Sequence, residues 1–485
     1  MIAVLCRIKT TIKERGLVNI MTGNLELLRE PARDIPVVAD VDVAVLGGGP
    51  AGFNAAVAAA RLGASTLLIE KNGYMGGVAT AGLVSIWHSL YSMDRSKKII
   101  GGIIDDVLAR LEARDAVRGL GDYAPDLSKG CWVVDTEAAK LVFDELALEA
   151  GVKPLFHTYA VDVLQSMGEI TAVIVENKSG RGAIKAKVFI DCTGDGDVAS
   201  RAGAIYEKGD EDGLVQPPGM CVRVGGLKPA AFEGFESGAV AKALDKEMDY
   251  NGQVYPSFLW QTNSLHRDDE VMMAAARMTH TDCSNGEQFS QASIDGRRQI
   301  DWIVRTLKAE VPGFEDAYIV DIADEVGPRE TRRFLGDYVL TEEDLLTGRD
   351  FPDVIGRGTY PVDIHNPVGR GIIFKHLDGT MVTHDESGNV IRSTWTPDGG
   401  KNHAQYYNMP YRVLLPRDMH NLMVAGRCVS MTHEALGAIR VMVNCMQLGQ
   451  AAGIGAALAC VTKNAPRDVD FGSVQSELAK LGCEL

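Results

Sequence analysis

A chain of 485 residues is longer than one ordinary hydrophobic core supports, so two or three folding units are expected. Hydrophobic residues at 46% and charged residues at 24% are normal for a globular protein. The net charge of −16 argues against a phosphate-rich partner, so no nucleic acid is expected.

The first residues, Met1 to Asn19, hold only a five-residue apolar run, interrupted by Arg7 and Lys9, which is not a signal peptide. They are read as an N-terminal extension, either a tail or a segment upstream of a start at Met21. Asp42-Val43-Ala44-Val45-Leu46 reads as a buried parallel strand running into glycines. Phe53 to Leu62 is Ala-rich and helical, and Ser65 to Glu70 is a second strand, completing a βαβ unit. Asp135 to Gly151 reads as an amphipathic helix. Val161–Val163, Ile170–Glu176 and Ala183–Val188 read as a small meander, and Val188–Asp191 as a further buried strand. Residues 210–410 change character, with short strands, polar helices and most of the Trp and His. Asn421 to Gly426 reads as a strand and Ala435 to Cys460 as one long helix. No run of 18 apolar residues occurs, so neither a transmembrane helix nor a membrane partner is expected.

Nine cysteines, Cys6, Cys131, Cys192, Cys221, Cys283, Cys428, Cys445, Cys460 and Cys483, show no CxxC spacing. An iron–sulfur cluster held by this chain lacks its usual ligands, and no metal site is expected. Scattered thiols fit a reducing, cytoplasmic location.

The loop Gly47-Gly48-Gly49-Pro50-Ala51-Gly52 lies between a strand and a helix. Gly47 permits the tight turn, Gly49 lets backbone N–H groups approach a pyrophosphate, and Gly52 lets helix and strand pack closely. The helix N-terminus adds partial positive charge. Glu70, at the end of the second strand, suits ribose hydroxyls, and Lys71 follows it. The glycine cluster Gly73 to Thr80 points to FAD rather than NAD, and no second strand–GxGxxG–helix unit is found for NAD(P).

With Asp191-Cys192-Thr193-Gly194-Asp195-Gly196-Asp197 and the block from Val424 to Gly453, these motifs resemble the FAD-dependent oxidoreductases of the two-dinucleotide-binding superfamily. Within it the chain resembles the family related to the flavin subunit of heterodisulfide reductase. The resemblance spans about 38–463. It implies an α/β fold: a Rossmann-like FAD-binding domain of glutathione-reductase type with an inserted α+β substrate domain. The division read is 1–37 extension, 38–209 and 411–463 FAD-binding, 210–410 substrate domain, 464–485 tail. The implied cofactor is non-covalent FAD. Gly47, Gly49, Pro50, Ala51 and Gly52 would hold its pyrophosphate and Glu70 its ribose. Ala160 would touch adenine, and Gly76, Gly77 and Thr80 would border the isoalloxazine. Thr193, Gly194 and Asp195 would lie against the adenosine side, Gly426 and Arg427 beside ribityl and phosphate. The helix holding Arg440, Val441 and Met442 would aim its N-terminus at the flavin pyrimidine.

The reaction needs groups outside these motifs. In Tyr360 to Pro367, alternation puts Asp363 and His365 on one face, where an Asp–His pair could set a general base. A purely structural histidine is the competing reading. His433 and Arg440 are further catalytic candidates. Gly327 to Arg333 is a basic patch from which Arg329 and Arg332 could clamp an anionic substrate or an FAD phosphate. A structural salt-bridge cluster is the alternative. Three functions follow: hydride transfer between a small polar molecule and flavin, a reductase fed by an electron-carrier partner, and, least favoured by the charge, tRNA modification. A homo-oligomer remains open.

Overall fold

The computed structural model describes residues 27–119, 131–245, 259–385, 389–396 and 404–485. Cys6 and residues 1–26 of the expected extension lie outside the described residues.

The first sheet is built on β1 (Val37–Leu46), whose last four residues are fully buried. Such an unbroken apolar run suits a strand covered on both faces. It leads through the glycine loop into α1 (Pro50–Arg61), then β2 (Thr66–Ile69), which pairs parallel with β1 in the register Val43↔Thr66. Helix α2 (Thr136–Glu149) is capped by the Asp135 carboxylate, which accepts from Glu137 N and Ala138 N. It returns the chain to β3 (Lys153–Leu155), parallel to β2. A hairpin of β4 (Tyr159–Ser166) and β5 (Glu169–Asn177) then leads into β6 (Gly180–Asp191), which lies parallel to β1.

β6 is one continuous 12-residue strand where the sequence reads as two. Its first half pairs antiparallel with β5 and its second half pairs parallel with Leu422–Val424. Two different neighbours on one edge account for the two patterns along it. The resulting order is β3-β2-β1-β6, with β5-β4 beyond β6 and Leu422–Val424 also on β6.

A second apolar core draws on Met220 to Val326 together with Leu83. It lies on an antiparallel sheet of β7 (Gly219–Gly225), β8 (Trp260–Asn263), β9 (Val271–Arg277) and β10 (Tyr318–Ile322), in the order β8-β9-β7-β10. Helix α3 (Gly286–Glu310) packs against it through Ile300, Ile303, Val304 and Leu307. Buried apolar residues from Phe334 to Val362, Leu377, and those from Tyr407 to Leu415 belong to the first core. This part of the chain includes β11 (Val362–His365), the first strand of a four-stranded meander.

The expected single helix from Ala435 is two: α4 (His433–Ile439) and α5 (Met442–Thr462). Arg440 caps the end of α4, and Val441, with φ −65° and ψ 149°, is the extended residue that opens α5. By length and composition α5 could cross a membrane, yet 78% of its most apolar window is buried inside the protein. Its polar residues have protein partners. Asn444 Nδ2 donates to Tyr407 Oη at 2.8 Å, Gln447 Nε2 to Arg357 O at 2.7 Å, and Gln450 Oε1 accepts from Ile103 N at 2.8 Å. It is a core helix, crossing α1 so closely that a Cβ on Gly449 would overlap the Ala51 carbonyl, and one on Gly453 the Ala55 carbonyl.

Candidate active site

The glycine loop closes where β1 meets α1. Gly47, at φ +98°, donates its N–H to Ile69 O at 2.7 Å, a left-handed position that favours glycine. A Cβ on Gly52 would collide with the Gly47 carbonyl, so helix and strand touch here only because that atom is missing. Gly49 is different: a Cβ there would meet nothing nearer than Gly77 Cα at 4.0 Å. Gly49 is also the N-cap of α1, and no side chain caps that end. The first-turn N–H groups therefore keep their capacity for an anion. Gly77 faces Gly49 across the gap, Gly76 N donates to Gly48 O at 2.8 Å, and Thr80 is buried, its hydroxyl donating to Met75 O at 2.8 Å.

Glu70 directly follows β2, only 6% exposed. Its carboxylate accepts from Gly48 N at 2.6 Å and Asn72 N at 2.9 Å, one bond to each oxygen, leaving a lone pair on each. Burial pushes its pKa up, against these two N–H groups. Ala160 lies on β4, just past Thr158, whose N–H donates to Glu70 O. Lys71 pairs with Glu325 at 2.7 Å, tying the first core to the segment that closes the second.

The turn after β6 is organised by Asp191. Its carboxylate is fully buried and accepts from Thr193 N at 3.0 Å, Thr193 Oγ1 at 2.7 Å and Ala199 N at 2.7 Å. Beyond it, Arg427 Nη2 pairs with Asp195 at 2.9 Å and Nη1 donates to Thr331 Oγ1 at 3.1 Å. Thr193, Gly194, Asp195, Gly426 and Arg427 are thus one neighbourhood, and a Cβ on Gly426 would reach the Ala51 Cβ at 3.2 Å. Arg332 belongs to the same place: it donates to Asp195 O at 2.9 Å and pairs with Asp197 at 3.1 Å.

A separate polar cluster forms at the α4–α5 break. Arg440 donates to Asp363 Oδ2 at 3.0 Å and to Gln216 Oε1 at 2.8 Å. Asp363 Oδ1 lies 3.2 Å from His365 Nε2, and Tyr360 Oη donates to Asp363 Oδ2 at 3.1 Å. The alternation read from Tyr360 to Pro367 therefore does put Asp363 and His365 side by side. Burial alone would raise the Asp363 carboxyl. His365, Arg440 and Arg329 outweigh it and hold the group well below the carboxylate range. Burial, reinforced by Arg329, holds His365 neutral. His365 Nε2 faces Asp363 Oδ1 at ion-pair distance, and among the described residues neither that oxygen nor the buried Nδ1 has a hydrogen-bond partner.

Arg329 donates to Pro217 O at 2.7 Å beside this cluster. Its companion Arg333 is instead a buried partner of Glu330, and His433 Nδ1 stands 2.8 Å from the same carboxylate. Glu330 also accepts from Gln216 N at 3.0 Å, so His433 joins the cluster through Glu330 and Gln216. Gln216 and Arg277 carry no motif that marks them in the sequence. Gln216 is fully buried between Arg440 and His365 N. Arg277, 2% exposed, donates to Asn366 O, Arg370 O and Gly371 O just past His365. His88 packs its ring 4.2 Å from Tyr360. Val441 opens α5 with no side-chain cap, one residue from Arg440. No group of metal-ligating residues occurs among the described residues.

Two uncapped helix N-termini, an open face at Gly49 and a buried acid after β2 fit an extended dinucleotide. A family model described as FAD dependent oxidoreductase matches residues 42–478. The chain belongs to the FAD-dependent oxidoreductase family. This oxidoreductase is an enzyme whose cofactor is FAD. It is 25% identical over 279 residues to thiamine thiazole synthase from Methanococcus aeolicus, covering 56% of this chain and 88% of that protein. It is 41% identical over 75 residues to mitochondrial dihydrolipoyl dehydrogenase from Homo sapiens, 15% of this chain and 14% of that one. Among solved structures, the oxidoreductase aligns with a geranylgeranyl bacteriochlorophyll reductase-like protein from Thermoplasma acidophilum. The identity is 13% and the TM-score 0.42, over 91% of this chain and 83% of that one.

Proposed function

We propose that this enzyme transfers a hydride between a small polar organic substrate and flavin N5, with His365 as the proton acceptor. The observation that carries the reading is the buried Asp363–His365 pair, Oδ1 to Nε2 at 3.2 Å, next to the opening of α5. When bound, FAD supplies the two-electron acceptor. For an alcohol, the carbinol hydrogen leaves as hydride, the hydroxyl proton moves to His365 Nδ1, and a carbonyl forms. The Asp363 charge beside Nε2 favours the proton there, which leaves Nδ1 its lone pair, and stabilises the imidazolium that follows. Arg440 and Tyr360 orient Asp363. The N-terminus of α5 suits the negative charge that a reduced flavin carries at N1.

The accompanying fold reading is a Rossmann-like, glutathione-reductase-type FAD unit from 38–209 and 411–463, with the substrate unit between them. Residues Gly47 to Gly52 take the pyrophosphate and Glu70 the ribose.

The test is anaerobic. The FAD-loaded enzyme is mixed with a broad panel of polar metabolites and its visible absorbance is followed. Bleaching by one of them, lost in His365→Ala with FAD retained, supports the reading. Absence of bleaching by every metabolite overturns it. Reduction by an external electron carrier in that case favours the second reading, a reductase subunit akin to the flavin subunit of heterodisulfide reductase.

A further inference from the structure

The cluster around His365 holds more positive charge than its own residues neutralise. Three guanidinium groups, Arg277, Arg329 and Arg440, stand around one carboxylate, Asp363. Arg440 is matched directly by Asp363. Arg277 and Arg329 are not: among the described residues their side-chain bonds go to main-chain carbonyls, of Asn366, Arg370 and Gly371 for the first and Pro217 for the second. Carbonyl dipoles offset only part of a buried charge. Burial accordingly pushes Arg329 down to about 10 and Arg277 to about 9.

Among the unpaired buried atoms of the cluster, Asp363 Oδ1 and His365 Nδ1 are acceptors and two others are donors. Gln216 accepts from both Arg440 Nη1 and His365 N through Oε1, which fixes its amide and leaves Nε2 as a fully buried donor with no partner among the described residues. Arg277 Nε is likewise buried and unpartnered. Gln216 and Pro217 are consecutive, so the orphan amide and the carbonyl that anchors Arg329 lie on one short stretch of chain. Surplus donors and surplus positive charge beside a proton acceptor call for a ligand with anionic acceptor atoms.

We infer that the substrate carries a carboxylate, held by the Arg329 guanidinium and Gln216 Nε2, with its reacting hydroxyl at His365 Nδ1. This rests on the hydride-transfer reading and names the class as a small hydroxycarboxylic acid. A guanidinium fork matches a planar carboxylate with two parallel bonds, which a neutral amide or alcohol cannot return with equal strength.

The test reads binding without turnover. FAD-loaded enzyme is titrated with acetate, malonate and succinate, and with acetamide, malonamide and succinamide, at constant ionic strength, following the flavin difference spectrum. At least one carboxylate should give a saturable change that its amide does not. Arg329→Met should weaken it by about tenfold or more, with Arg329→Lys recovering part of the loss. Gln216→Glu keeps the acceptor that Arg440 and His365 N use but turns the orphan donor into a second acceptor. It should weaken carboxylate binding by at least as much while retaining FAD, and it carries the test if Arg329→Met fails to fold. Amides binding as well as acids, no carboxylate binding, inorganic phosphate binding more tightly than every carboxylate, or folded variants indistinguishable from the parent would each overturn the inference. Arg329-dependent carboxylate binding without bleaching by any hydroxy acid would sink the hydride reading and leave this one standing. Bleaching by a neutral alcohol, insensitive to Arg329, would do the reverse.

Discussion

Arg440 Nη2 stands 3.0 Å from Asp363 Oδ2, with the two side chains 9% and 8% exposed. The pair joins the break between α4 and α5 to β11, and Gly437 lets the two backbones meet, since a Cβ there would press on the Asp363 main chain. Removing one partner of a buried pair leaves the other charge uncompensated. Arg440→Met should therefore lower the unfolding free energy of the FAD-loaded enzyme by about 3 kcal/mol in urea titrations. Adding Asp363→Asn to it should cost less than the two single losses combined. Strict additivity would show that the pair does not act as a unit.

Glu70 makes its contribution through a charge just past β2. Glu70→Gln keeps the size but removes the carboxylate that two backbone N–H groups and a ribose would share. FAD affinity, followed by fluorescence quenching as apoprotein is titrated, should fall by about tenfold or more. Unchanged affinity would remove Glu70 from the cofactor site.

Gly449 is a packing requirement rather than a turn residue. Gly449→Ala puts a methyl group against the Ala51 carbonyl in a contact with no slack, and overpacking of this kind costs about 1–3 kcal/mol. A lower melting temperature is expected, with FAD released at lower temperature than from the parent. Differential scanning fluorimetry, following the flavin and a dye in parallel, checks both.

Stability should also fall in mild acid. Burial lowers His88 from 6.5 to about 4, and burial with Arg329 holds His365 lower than its ordinary value. The unfolded chain takes up these protons more readily, so stability is complete above about pH 6.5 and declines as pH falls toward 4. The slope is about 1.4 kcal/mol per pH unit for each histidine. His88→Phe, which keeps a ring against Tyr360, should reduce the slope of unfolding free energy against pH in this window by one histidine's share. An unaltered slope would exclude His88 as a contributor.

What the sequence reveals depends on how local each interaction is. The turn at Gly47, the close approach at Gly52 and the acid at Glu70 are spaced within one βαβ unit, so spacing alone exposes them. The Asp363–His365 pair is likewise local, being two residues apart on one strand. The helix break is not local. From Ala435 to Cys460 the chain carries no proline and several good helix formers, and it separates at Arg440–Val441 where Arg440 is tied to Asp363 and Gln216, distant in sequence. Gln216 and Arg277 escape for the same reason, since only the folded chain brings them to His365. The basic run Gly327 to Arg333 shows its charges in sequence but not their destinations. Neighbouring arginines face different partners there: Arg329 meets Pro217 O, Arg332 meets Asp197, and Arg333 meets Glu330.

The crossing of α1 and α5 also works as a ruler. Ala51 meets Gly449 and Ala55 meets Gly453, so the helices run in the same sense, fixed to each other through backbone rather than through compressible side chains. α5 begins at Met442, seven residues before Gly449, while α1 begins at Pro50, one before Ala51; the net six residues at 1.5 Å each set the first turn of α5 roughly 9 Å beyond that of α1. Two positively polarised ends are thereby held at a set stagger, with Gly426 beside the nearer one. A ligand gripped at both must have its phosphates and its ring system separated by that interval. With FAD bound as proposed, Gly449 and Gly453 would gauge the cofactor's length through the helix crossing alone, and inserting a helical turn between Met442 and Leu448 would recalibrate the gauge.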